Sequence, residues 1–190
     1  MQLGGRFLTE DDLKNFGFRS LGRDVKIHER ASIYGLENIS LGNHVRIDDF
    51  SVIVATGPLE IGSYVHIPNF CFLGSRFGII LEDHATLAQG VKIFSSSDDY
   101  SGEKLTNPTV PREFTGGKQG KVHLRKHVII GAGSVILPGC TLGEGVAVGA
   151  LSLVKDDLPP WGVYAGVPAR LIKERKKDLL ELEAKLSTRD

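Results

Sequence analysis

The residues best equipped for chemistry in this 190-residue chain are six histidines, two cysteines and the adjacent carboxylates Asp98 and Asp99, followed by Tyr100. Imidazole titrates nearest to neutral pH, so His28, His44, His66, His84, His123 and His127 are the candidate general bases. The carboxylate pair lies in FSSSDDYSGEKLTNPTVPREFTGGKQGK, residues 94–121, a polar stretch bearing Gly and Pro. A loop of that length in a small domain usually serves function. Cys71 and Cys140 are too few to build a metal framework. The 23 basic and 23 acidic side chains cancel, which argues against a broad nucleic-acid or anionic-membrane surface. No apolar run approaches the roughly 20 residues of a membrane span, and MQLGGRFLTEDD lacks a signal-peptide pattern. With two cysteines and no secretion signal, the expected compartment is the reduced cytoplasm.

What must hold these residues in place shows in a repeat. Leu21, Ile27 and Ile33 are spaced by six, and the count resumes at Leu41, Ile47, Ile53, then Ile61, Ile67, Leu73, then Leu81, Leu87, Ile93. After residues 94–121 it returns as Leu124, Ile130, Ile136, Leu142, Val148 and Val154. The first series repeats every 20 residues and the second every 18. Six is neither a helical period nor the alternation of a long strand. It predicts short strands joined by tight turns, three per circuit, each placing one aliphatic side chain inside a triangular prism. Small residues two positions earlier, Cys71 and Cys140 among them, fit its narrow interior. Glycines after the key aliphatic, such as Gly22, Gly42, Gly62, Gly131 and Gly149, are expected to permit the corners. Coils would stack at the strand spacing of roughly 4.8 Å.

The stretch from Val128 to Arg170, VIIGAGSVILPGCTLGEGVAVGA followed by DDLPPWGVYAGVPAR, resembles the hexapeptide-repeat acyltransferases, especially those acetylating galactosides, maltose and polysaccharide sugars. The resemblance extends over about residues 21–175. It implies an all-β, left-handed parallel β-helix, a homotrimer, and acyl transfer from acetyl-CoA as co-substrate with no metal.

Around that prism, residues 1–20 are expected to form an N-terminal cap, 21–170 the β-helix interrupted by loop 94–121, and 171–190 a C-terminal helical tail. Thr9-Glu10-Asp11-Asp12 predicts a short capped helix leading to Phe16 and Phe18, which would close one end of the prism. In the tail, Leu179, Leu182 and Leu186 would share a helix face, with Arg175, Lys176 and Lys177 facing solvent. Trp161 is expected to pack the other end.

The resemblance also assigns roles. Asp98 falls where the family places its catalytic histidine, within LEDHATLAQGVKIFSSSD. An unperturbed Asp has a pKa about 2.5 units below His, which makes it a poor base towards an alcohol. Either a nearby histidine acts with it, or the acceptor is an amine that attacks as its free base while a carboxylate positions the ammonium. An amino sugar is therefore the favoured acceptor. His66 should point outward one coil away, at a family position near the acceptor site, and is the candidate histidine. His44 and His84 occupy one corner position on coils two apart, with Tyr64 between. His123, His127 and His28 read as surface residues. Asp99 and Tyr100 are candidate substrate contacts. Gly131, Ala132 and Ala150 match corners that hold the pantetheine arm, while Arg170, Lys173 and the displaced Lys155 match phosphate-binding positions.

The reading that follows is acetyl transfer to a hydroxyl or amino group of a sugar or sugar nucleotide, in surface polysaccharide biosynthesis. Two alternatives are an inactive trimeric assembly module and, less favoured, a zinc carbonic-anhydrase-like β-helix. The zinc reading fails on reach, because His44 and His84 cannot both stand about 2.0–2.1 Å from one ion within a subunit.

Overall fold

A computed structural model describes residues 4–188. The repeat folds as a parallel β-helix of three sheets. The first face stacks Ser20–Leu21, Ile39–Leu41, Leu59–Ile61, Ile79–Leu81, Val122–Leu124 and Thr141–Leu142. The second stacks Lys26–Ile27, Arg46–Ile47, His66–Ile67, Thr86–Leu87, Ile129–Ile130 and Ala147–Val148, and ends on Gly162–Ala165 and Arg170–Glu174. The third stacks Ser32–Tyr34, Val52–Val54, Phe72–Gly74, Lys92–Phe94, Val135–Ile136 and Leu153–Val154.

Registers carry each key aliphatic onto its counterpart one coil away: Ile27 onto Ile47, Ile47 onto Ile67, Leu87 onto Ile130, Ile130 onto Val148. The repeat positions are buried except Leu21 and Ile33, which belong to the first coil and lack a coil above them. Cys71 and Cys140 lie in this core, and burial pushes each thiol up to about 11, where it is inert.

The corners differ from expectation in an informative way. None of Gly22, Gly42, Gly62, Gly131 or Gly149 adopts a positive φ. They are glycines because adjacent coils approach closely there: a Cβ on Gly42 would stand 2.6 Å from the Gly62 carbonyl carbon. The left-handed corner positions instead carry bulky residues, His44, Tyr64, His84 and His127 at one corner and Phe50, Phe70 and Leu151 at another. Such a conformation costs about 1–2 kcal/mol per residue. Each ring recovers part of it by stacking on its neighbour one coil away, worth about 0.5–1.5 kcal/mol per aromatic pair.

The ends are closed by non-repeating segments. Thr9 caps the helix Glu10–Lys14 and forms a capping box with Asp12. Leu13 on that helix, not Phe16, plugs the prism: Leu13 is buried and Phe16 exposed, while Phe18 packs partly against the core. At the other end, Arg170–Glu174 is a strand antiparallel to Gly162–Ala165, so among the described residues the tail is helical only over Leu179–Leu186. The strand covers what would be an open sheet edge. Arg175, expected in solvent, turns inward and donates to the carbonyls of His127 (2.8 Å) and Gly145 (3.0 Å). Trp161 packs this last coil, its ring lying against Gly145.

Two histidines expected at the surface are buried. His28 is covered by the Phe7 ring, which meets it edge-on at 5.5 Å as the N-terminal segment crosses the second face. His127 sits beneath His84, with centroids 5.1 Å apart, because loop 94–121 leaves the prism and rejoins it in register.

Candidate active site

Asp98 and Asp99 stand where the chain leaves the third face. Ser95 anchors the exit: its buried hydroxyl donates to the Gly74 carbonyl (2.9 Å) and accepts from the amides of Arg76 (2.8 Å) and Phe77 (2.9 Å). Ser97 N–H donates to the Lys118 carbonyl, and Gly120 N–H to that of Ser95, so the two limbs of the loop are tied at its base. Gly117, at a φ of 132°, lies against the Ser97 and Asp98 backbone too closely for any side chain.

The two neighbouring carboxylates are used differently. Asp99 accepts from the Ser101 hydroxyl (2.8 Å) and from the amides of Gly102 (2.8 Å), Glu103 (3.1 Å) and Lys104 (3.3 Å). The Ser101 bond leads in holding its pKa below the usual carboxylate range, with the loop amides adding to it. Asp99 thus folds the loop that carries Asp98. Among the described residues, no hydrogen bond or ion pair occupies the exposed Asp98 carboxylate. Tyr100 is 93% exposed.

His66 projects from the second face with its side chain 41% exposed, and its Nε2 lies 2.8 Å from Asp48 Oδ2. Arg46 Nε donates to the other Asp48 oxygen at 2.6 Å. Burial alone would raise the Asp48 pKa; the bonds from His66 and Arg46 outweigh it and hold the carboxyl below its ordinary value. Among the described residues no hydrogen bond or ion pair joins His66 to Asp98, which follows a strand of a different face.

The expected coenzyme positions come together in two groups. Gly131, Ala132 and Ala150 lie on successive coils at the corner between the second and third faces, where Leu151 N–H donates to the Ala132 carbonyl (2.8 Å). A Cβ on Gly131 would collide with the Ala150 amide. Lys155 and Arg170 both line a recess of about 180 Å³ beside Tyr164 and Pro168. Lys155 also pairs with Asp156 at 2.8 Å, and this bond leads in lowering the Asp156 pKa. Lys173 is exposed farther along the same terminal strand.

Two aromatic columns flank these groups. In the first, His44, Tyr64, His84 and His127 stack with centroid separations of 4.7, 4.9 and 5.1 Å. The 20-residue spacing of the first three was visible in sequence; the loop hid His127. The second column stacks Phe50 on Phe70, related by the same 20-residue spacing. Among the described residues no group of three metal-ligating side chains converges, and the Tyr64 ring stands between His44 and His84.

Comparison with known proteins gives a consistent result. Residues 121–156 match the family described as bacterial transferase hexapeptide (six repeats). A dTDP-4-amino-4,6-dideoxy-D-glucose acyltransferase of Escherichia coli is 47% identical over 181 residues, covering 94% of this chain and 93% of the relative. The crystal structure of AntD, an N-acyltransferase from Bacillus cereus in complex with dTDP and 3-hydroxybutyryl-CoA, superposes with a TM-score of 0.93 at 45% identity and covers 97% of both chains. A variant of AntD in complex with dTDP-4-amino-4,6-dideoxyglucose and coenzyme A superposes with a TM-score of 0.94 at 45% identity, covering 98% of this chain and 99% of that one.

Proposed function

Since the chain belongs to the hexapeptide-repeat sugar acyltransferases, an enzyme family that draws on acyl-CoA, we propose that it acylates the 4-amino group of a dTDP-4-amino-4,6-dideoxyhexose. The observation that carries this reading is likeness over nearly the whole length, loop included, to AntD, which has been crystallised with that amino-sugar nucleotide. The unoccupied carboxylate of Asp98 agrees with it.

An amine, once deprotonated, needs no general base to attack. Its nitrogen lone pair forms the C–N bond to the thioester carbonyl, the C–S bond breaks, and CoA leaves as its thiol while the nitrogen sheds a proton. Asp98 holds the incoming ammonium through a charge-assisted hydrogen bond; the ammonium gives one proton to solvent, and the free amine so formed keeps a hydrogen bond to the carboxylate that fixes its approach. Asp99 keeps Asp98 in place by folding the loop. The pantetheine lies along the corner of Gly131, Ala132 and Ala150, and the phosphates meet Arg170, Lys155 and Lys173. Three copies assemble so that this corner of one subunit faces loop 94–121 of the next, with His66, Asp99 and Tyr100 as further acceptor contacts. The donor is acetyl-CoA, and the product supplies cytoplasmic nucleotide sugars for surface polysaccharide.

The test is incubation of the protein with acetyl-CoA and either dTDP-4-amino-4,6-dideoxyglucose or dTDP-glucose, with the products read by mass spectrometry. The amino sugar is expected to gain one acetyl group and the hydroxyl sugar none. Acylation of dTDP-glucose at a comparable rate would overturn the amine assignment.

A further inference from the structure

At the corner between the second and third faces, successive coils place Arg30, Phe50, Phe70, Gly90, Gly133 and Leu151 three residues after the register-matched aliphatics. The Phe50 and Phe70 rings lie within 8° of parallel, with centroids 5.6 Å apart, yet are 47% and 59% exposed. Both sit at positive φ, a conformation that bulky residues rarely adopt. The Arg30 guanidinium caps the column 5.9 Å from the Phe50 centroid, and among the described residues it has no carboxylate partner. Beyond Phe70 the side chains stop. A Cβ on Gly90 would meet only the Gly133 backbone, at 3.8 Å. The column resumes at Leu151, whose Cδ2 leans to within 2.8 Å of where a Cβ on Gly133 would stand. A notch therefore opens at the Gly90 coil, bounded by Phe70 on one side and Leu151 on the other.

We propose that this notch seats the deoxyhexose ring of the acceptor, with Phe70 as its specificity-determining contact; the inference rests on the acceptor class proposed above. Three observations single out that occupant. Ala132 and Ala150, the expected pantetheine contacts, immediately precede Gly133 and Leu151, so acceptor and thioester would meet end to end along one corner. The coil spacing of roughly 4.8 Å makes one side-chain-free coil deep enough for a saturated six-membered ring. A 6-deoxyhexose presents a methyl group and ring C–H bonds, which an exposed phenyl face buries favourably. Charge agrees as well. The 4-amino group and the anomeric carbon lie at opposite ends of the pyranose. With the amine at the thioester, the diphosphate runs back past Phe50 towards the unpaired Arg30 guanidinium.

The test compares wild type, Phe70→Ala and Gly90→Phe for calorimetric binding of dTDP, dTDP-4-amino-4,6-dideoxyglucose and acetyl-CoA, with steady-state kinetics and the oligomeric state of each. Phe50 and Phe70 show that this corner conformation accepts a phenylalanine, so Gly90→Phe fills the notch without a new backbone. Both variants are expected to weaken the amino-sugar nucleotide about tenfold. Binding of dTDP alone and of acetyl-CoA should stay within twofold, and Phe70→Ala should raise KM while kcat stays near wild type. Unchanged sugar-nucleotide affinity in both variants overturns the notch and leaves the proposed reaction standing. Equal weakening of dTDP would put the base there, and loss of assembly in Phe70→Ala would mean that a second copy covers the platform; either result overturns the inference. A wild-type protein that binds acetyl-CoA but not the amino-sugar nucleotide overturns the proposed acceptor, and the notch with it.

Discussion

Replacing Glu183 by Ala should release the C-terminal helix while leaving the prism folded. That helix, Leu179–Leu186, has only eight residues and buries none of them, so neither propensity nor packing holds it strongly. Its attachment runs through one carboxylate. Lys126 Nζ donates to Glu183 Oε1 at 2.7 Å and His127 Nε2 to Oε2 at 2.9 Å, with His84 Nε2 3.3 Å from Oε1. The Glu183 side chain is 19% exposed, so solvent screening is incomplete. Two short charge-assisted bonds at 1.5–3 kcal/mol each, discounted for partial exposure, give a local stabilisation of about 2 kcal/mol. That amounts to roughly 30-fold in the opening equilibrium. Hydrogen exchange read by mass spectrometry should therefore accelerate about 30-fold in peptides covering 179–186, with the coils from 39 to 93 unchanged. Acid should mimic the substitution. The Lys126 bond leads in depressing the Glu183 pKa, and burial leads in depressing that of His84. A depressed folded pKa means that the unfolded chain binds the proton more readily, so both contributions are present at higher pH and lost on acidification. Loosening begins as pH falls below about 6.5, where His84 titrates in the unfolded chain; the Glu183 contribution starts to fall near the ordinary carboxyl value of about 4.3 and is gone below the depressed pKa of the folded state. A protection factor in 179–186, corrected for the intrinsic pH dependence of amide exchange, that is unaltered by Glu183→Ala or that rises on acidification would refute this reasoning.

Two further outcomes follow from coil packing and the coenzyme recess. Gly42→Ala should lower the urea midpoint, at a cost of roughly 1–3 kcal/mol, because its Cβ meets unyielding backbone of the next coil. An unshifted midpoint would mean that the coils separate more easily than their registers suggest. Arg170→Ala should weaken acetyl-CoA about tenfold while leaving 3′-dephospho-CoA little changed, as calorimetry can read; equal losses for the two ligands would place the guanidinium away from that phosphate.

The prism was legible because its inner aliphatics recur at a period that no helix or long strand produces, and Ile27, Ile47 and Ile67 do stack in register. The corner glycines are legible in the sequence but their cause is not, since close approach between coils cannot be read from one strand. The tail misled for a related reason. Leu171 and Ile172 look like part of a helical pattern, yet the open end of the solenoid demands a covering strand, a tertiary requirement with no local signature. The sequence marks Asp99 as a substrate contact, but it carries no sign that the same carboxylate also folds the loop, because that role depends on amides three to five residues ahead. The last member of the imidazole column is not evident in the sequence because the excursion over residues 94–121 breaks the count between His84 and His127. Two chemistry-bearing residues stand apart in the fold, His66 on a strand of the second face and Asp98 after a strand of the third, and the spacing of the repeat did not show that separation.

The most direct measurement of the central claim is the rate of CoA thiol release from acetyl-CoA and dTDP-4-amino-4,6-dideoxyglucose by wild type and Asp98→Asn, each shown to bind acetyl-CoA and to share one oligomeric state. A carboxylate that binds the ammonium and positions the free amine it becomes predicts turnover reduced at least about 100-fold in Asp98→Asn, with coenzyme affinity unchanged. A variant turning over within threefold of wild type would contradict the role of Asp98 and the amine-directed reaction built on it.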